Sequence, residues 1–82
     1  MITLDEAKNL RHGDILYHVT NRNYDGSPQR WKVNGKVKRW KRTPDRIQVP
    51  LKHGLYSYDY LTENDLDLVC LVESEALDES NG

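Results

Sequence analysis

The sequence predicts a mainly β domain: a small, strongly bent antiparallel barrel of five or six strands, with a short N-terminal helix and a one-turn helix before the last strand. Three observations carry that reading. From Asp14 onward, apolar and polar residues alternate in short runs, which is strand spacing. Gly, Pro, Asn and Asp separate the runs. An open sheet of this size would expose both edges and half its apolar face, so the strands must curl on themselves. Eighty-two residues make one domain. Such a chain buries roughly 60–65% of its unfolded surface, which leaves little room for a large internal active site. With 37% apolar and 30% charged residues, the composition is that of a globular protein; two Trp and five Tyr supply bulk where Phe is absent.

The elements follow in order. Thr3 and Glu6 have capping-box spacing, Ile2 can staple onto Ala7, and Leu4, Ala7 and Leu10 continue a helix of about two turns that Gly13 stops. Ile15, Tyr17 and Val19 then alternate with Leu16, His18 and Thr20 as a strand, and Asn21 to Gln29 has the chemistry of a long exposed loop. Asn34-Gly35 admits two readings. It is a tight hairpin turn between Trp31-Val33 and Lys36-Trp40, or it is the bend in one strand that places Trp31, Val33 and Val37 on a common face. Thr43-Pro44-Asp45 turns the chain into the clearest strand, Ile47, Val49 and Leu51, where Pro50 signals an unpaired edge or a strand end. His53-Gly54 turns it again, and Leu55 to Leu61 sends Tyr56, Tyr58 and Tyr60 to one side. Thr62 and Asp65 cap a single helical or 3₁₀ turn, and Leu66 to Val72 is the last strand.

Residues 1–72 therefore form the domain, and the acidic stretch from Glu73 to Gly82 is expected to be a disordered tail. Cys70, the single cysteine, lies in the apolar run Leu68 to Val72 as a small buried hydrophobe, which suits a reducing, cytoplasmic setting. No apolar stretch reaches the roughly 18–20 residues that span a bilayer, and no basic, apolar leader follows Met1.

The opening Leu10-Arg11-His12-Gly13-Asp14-Ile15-Leu16, the loop at Asn21 to Gln29, the turn at Thr62 to Asp65 and the closing Leu66-Asp67-Leu68-Val69 together resemble the small Src-homology-3-like (SH3-like) barrels of KOW and Tudor type. That resemblance covers about residues 10–72 and implies the barrel, a framework that hosts many unrelated functions. The run from Arg30 to Tyr60 is also similar to small uncharacterised proteins of bacteria and their phages, which implies no activity.

Charge is the most informative feature for function. Between Gln29 and His53 there are nine cations and one anion, whereas from Asp59 onward there are eight acids and no Lys or Arg, a polarity that the net charge of −1 conceals. A basic run holding Trp31 and Trp40 suits nucleic acid: cations meet phosphates and an aromatic ring stacks on unpaired bases. The expected contacts are Arg30, Lys32, Lys36, Lys38, Arg39, Trp40, Lys41 and Arg42, with the bland alternative that the tryptophans are core and the cations a solvated face. The Tyr56, Tyr58, Tyr60 ladder is a second-choice contact surface. His12, His18 and His53 lack partners at metal-ligand spacing, the five glycines form no phosphate-cradling loop, and no nucleophile has an orienting base. The sequence thus points to a binding module with no catalytic residues, metal or cofactor. Its ligand is DNA or RNA; the alternative is a protein-interaction or inhibitor module, phage-derived in character, that uses its polarised acidic and basic surfaces.

Overall fold

Ile47, Val49 and Leu51 point to one side of a strand and Gln48, Pro50 and Lys52 to the other, and the chain builds its sheet around that strand. The computed structural model describes residues 1–81; residue 82 lies outside them. Helix α1 (Leu4–Lys8) precedes β1 (Ile15–Arg22), β2 (Pro28–Val33), β3 (Lys38–Arg39), β4 (Ile47–His53), β5 (Ser57–Thr62), a 3₁₀ turn at Leu66–Leu68, β6 (Val69–Cys70) and α2 (Glu73–Asn81). All strand pairings are antiparallel and join six strands into one sheet. On one edge β4 pairs with β5 from Gln48↔Thr62 to His53↔Ser57. On its other edge β2 (Lys32↔Lys52, Val33↔Leu51) and β3 (Lys38↔Gln48, Arg39↔Ile47) lie end to end. β1 pairs with β2 and with β6.

This arrangement decides between the two readings of Asn34-Gly35. No hairpin forms there. β2 and β3 follow one path along β4, and Trp31, Val33 and Val37 all pack on the same core. The break falls opposite Pro50, whose missing N–H therefore leaves no ladder bond unmade, while its carbonyl accepts from Asn34 N–H at 2.8 Å. Gly35 holds φ at +133°, and a Cβ there would lie 3.3 Å from Pro50 Cγ. A tight turn does lie between β1 and β2, closed by Asn23 N–H to the Ser27 carbonyl at 2.7 Å, so the loop expected over Asn21 to Gln29 shrinks to five residues between the strand ends.

β5 and β6 are the two ends of the sheet and do not pair with each other, so hydrogen bonding leaves the curled sheet unclosed. Laid flat, they would stand about 19 Å apart across four strand spacings. Leu61 of β5 and Val69 of β6 nevertheless share one buried cluster with Ile2, Leu16, Val33 and Val49, so the sheet curls around that core. α1 plugs one end of it. Its capping box is formed as the spacing predicts: Glu6 N–H donates to Thr3 Oγ1 and Thr3 N–H to the Glu6 carboxylate, and both Ile2 and Ala7 are buried. The helix is somewhat shorter than the two turns expected, because Asn9 already caps it. The final strand is also shorter, since Leu66–Leu68 forms the 3₁₀ turn.

The disordered tail expected after Val72 needs correction. Residues 73–81 form α2, and Ala76 is fully buried with Val19 and Cys70, with Tyr17 packed against them. The sequence hides this because α2 owns little apolar surface: the outer side of β1 and β6 carries most of the apolar area, and Ala76 is the residue of the acidic segment that is fully buried on it. Glu73 and Glu75 in the first turn favour the helix through its dipole.

Two measurements check this account. Gly35→Ala should lower stability by about 2 kcal/mol, the cost of forcing a side chain into that backbone region, and an unchanged denaturation midpoint would show that the break between β2 and β3 relaxes freely. Truncation after Val72 exposes Val19, Cys70 and Tyr17 and should cost about 1–3 kcal/mol in urea denaturation. A truncated chain as stable as the parent would mean that α2 contributes nothing.

Candidate nucleic-acid interface

Paired residues in neighbouring strands share a side of the sheet, so the register lists what each side displays. Opposite the core, β2 presents Arg30 and Lys32, β3 presents Lys38, β4 presents Gln48, Pro50 and Lys52, and β5 presents Tyr58, Tyr60 and Thr62. No acid stands on this outer face of these four strands. Asp59 alternates to the core side, level with Leu51. α2 covers the far end of the outer face over β1 and β6 and reaches β2, leaving the β4 and β5 region open.

Tyr58 and Tyr60 are the open aromatic groups there, 62% and 57% exposed. Lys52 lies with Nζ 5.6 Å from the Tyr58 ring centroid. Its other neighbour is Lys32, directly opposite across the β2/β4 ladder. Like charges placed so are destabilising. Nothing in the fold requires that pairing, since both side chains point away from the core.

The structure thus divides the residues expected to contact nucleic acid. Arg30, Lys32 and Lys38 share the outer face. Arg39 alternates to the other side, where its guanidinium donates to the Lys8 carbonyl at the end of α1. Lys36 stands beside Val37 on a shallow basic depression with Lys8, Arg11 and His12. Lys41 and Arg42 are exposed in the bend that leads to β4. Trp40 is half-buried and already engaged: the Arg46 guanidinium lies 4.1 Å and Lys38 Nζ 4.9 Å from its ring centroid, so a base could stack there only by displacing a cation. Trp31 faces inward, packs on the core, contacts the His53 ring at 5.1 Å and buries its Nε1–H without a hydrogen-bond partner among the described residues. Lys52 was absent from the expected contacts, and Tyr58 and Tyr60 belonged only to the second-choice surface. Alternation already separated the tyrosines from Asp59, but only the β2/β4 register, set by strands distant in sequence, brings them beside Lys32.

The histidines do not converge. His53 Nδ1 meets the Arg30 carbonyl at 3.0 Å. His18 Nδ1 accepts from the Thr20 and Asn21 backbone N–H groups at 3.1 and 3.0 Å, so the neutral ring carries its proton on Nε2. Burial first, and the nearby Arg22 charge second, hold the His18 pKa below 6.5. Among the described residues no three His, Cys, Asp or Glu side chains are grouped to hold a metal ion, and no helix is long and apolar enough to cross a membrane.

No family model matches the chain, and no curated protein or solved structure matches it either.

The His18 environment has a consequence for stability. Protonation is disfavoured in the folded state, so stability is full above 6.5, falls as pH drops through that value, and stops falling below the lowered folded pKa. Thermal midpoints should therefore decline between about pH 7.5 and 5.5. His18→Gln should flatten that decline. Asp25 titrates in a separate window, because its Ser27 hydrogen bonds hold the carboxyl below 3.8. A parent midpoint that is constant over the higher window would contradict the assigned environment.

Proposed function

We propose that this chain is a non-enzymatic module that binds single-stranded nucleic acid through the outer face of β2, β4 and β5, on a barrel framework of SH3-like type. The observation that carries the reading is the Lys32–Lys52 pair on a sheet face without acids, beside two exposed tyrosines. A fold that sets two ammonium groups opposite one another loses stability by an amount that a bound phosphate would recover. Arg30 and Lys38 extend the cationic strip, and Tyr58 and Tyr60 offer rings on which bases stack without sequence preference. The SH3-like assignment draws its support from the order of elements: a helix-led first strand, consecutive antiparallel strands, a 3₁₀ turn before a short last strand and a curled sheet around one core.

The contact set becomes Arg30, Lys32, Lys38, Lys52, Tyr58 and Tyr60. Salt titration of single-stranded binding should give a logarithmic slope near −3 for about four phosphate contacts at roughly −0.7 each. Replacing Lys52 with Thr should separate function from stability: the fold gains a few tenths of a kcal/mol by losing the like-charge pair, while affinity falls and the slope drops by about 0.7. Tyr58→Ala should weaken binding by about 1–3 kcal/mol, and Tyr58→Phe should not. Absence of binding at about 50 mM salt, or a Lys52→Thr variant that binds as the parent does, would reject this reading and favour a protein partner for the polarised surface.

A further inference from the structure

A cavity of about 300 Å³ lies along the seam where β5 and β6 fail to pair. Its size is at the small end for ligand sites, enough for one ring system rather than an extended molecule. Leu51, Leu61, Leu68, Val69 and the Trp31 ring give it apolar walls. His18, Asn21, Asp59 and Asp65 supply polar groups, and Tyr60 of the outer face stands at its border.

These polar groups are held in place. Asp65 Oδ2 accepts from Thr62 N–H and Oγ1 at 3.1 and 3.0 Å, and Asp59 Oδ1 accepts from Tyr60 N–H at 2.7 Å. Each carboxylate keeps its second oxygen for another donor. His18 has Nδ1 committed to the backbone, so the nitrogen it can offer is Nε2–H, a donor. A matching ligand must therefore carry donors for the carboxylates and an acceptor for His18, on a flat body that fits between apolar walls. An ammonium or guanidinium group has donors only and would leave His18 and the Asn21 amide without an acceptor. A nucleobase has both.

We infer that the seam cavity accepts a single unpaired guanine. Its N1–H and 2-amino group each donate to a remaining carboxylate oxygen, and O6 and N7 are acceptors for His18. The inference rests on the proposed binding face and deepens it: a strand lying across Tyr58 and Tyr60 reaches the seam over the edge of β5, so phosphates stay on the basic side while one base turns in.

The test compares a labelled oligothymidylate with versions carrying one central dG or one deoxyinosine, which lacks the 2-amino group. The dG strand should bind roughly tenfold more tightly than oligothymidylate, the discrimination expected of a bidentate contact. Deoxyinosine should lose most of that gain. Asp59→Asn, which keeps the oxygen that accepts from Tyr60 N–H, should abolish the dG preference and leave oligothymidylate binding intact. Oligothymidylate binding with no dG preference, or a preference that survives Asp59→Asn, overturns the guanine site while the face stands. Should oligothymidylate not bind at all, the face reading fails, and free guanosine then tests the cavity alone by Trp31 fluorescence and the His18 ring resonances. Perturbation of both by guanosine upholds the site; no response, or a response to agmatine in its place, overturns it.

Discussion

The structure depends on the register of β4. Ile47, Val49 and Leu51 enter the core only if Gln48, Pro50 and Lys52 leave it, and a slip of one residue would exchange the two sets. Three strands take their register from this one. β5 follows it along a full edge, whereas β2 and β3 divide the other edge between them, so the chain must break where neither pairs. Pro50 and Gly35 meet at that break for complementary reasons. Proline has no N–H to leave unpaired, and glycine has no Cβ to collide with the proline ring at a backbone angle other residues avoid. The break between β2 and β3 is thus fixed by two residues with opposite backbone properties.

The same register sorts the charges. A sequence with basic middle and acidic end could fold into a surface where the two neutralise each other; instead, alternation sends Asp59 inward and sets Lys32 opposite Lys52 on the outer face. The acids Glu73 and Glu75 lie on α2, which covers the β1 and β6 end and touches β2. Exposed charges in water interact by only a few tenths of a kcal/mol each, so this separation has little influence on folding. Its effect is on encounter, because a face of one sign concentrates counter-ions of the other.

Much of the fold was legible in the sequence, because the signals were local. The capping box of Thr3 and Glu6, the alternation of β4 and β5 and the burial of Cys70 each depend on neighbours within a few residues. Asn34-Gly35 misled as a hairpin signal for a physical reason: the pair tolerates a turn, but whether one forms depends on what Val33 and Lys38 pair with, and both pair with β4. α2 was missed because composition measures how much apolar surface a segment owns, while docking depended on what Val19, Tyr17 and Cys70 had left uncovered. The site was half legible. The basic density was plain in the sequence, but the exposed aromatic rings beside it are tyrosines rather than the tryptophans put first. Trp31 is turned inward by the parity that buries Val33, and Trp40 is held by Arg46, a cation outside the expected set.

β5 joins the two surfaces that matter. It is an end strand, so one of its edges is unpaired, and its alternation is strict: Tyr58 and Tyr60 face outward and Asp59 and Leu61 inward. Different chemistry is thereby kept on two sides, with aromatic rings beside cations on one and an exposed carboxylate at the seam cavity on the other. Pairing β5 with β6 would remove the seam; the 3₁₀ turn at Leu66–Leu68 occupies the path that a longer last strand would need. The shortness of β6 is therefore what keeps the cavity open, and Asp65, held by Thr62 immediately before that turn, lines the opening it leaves.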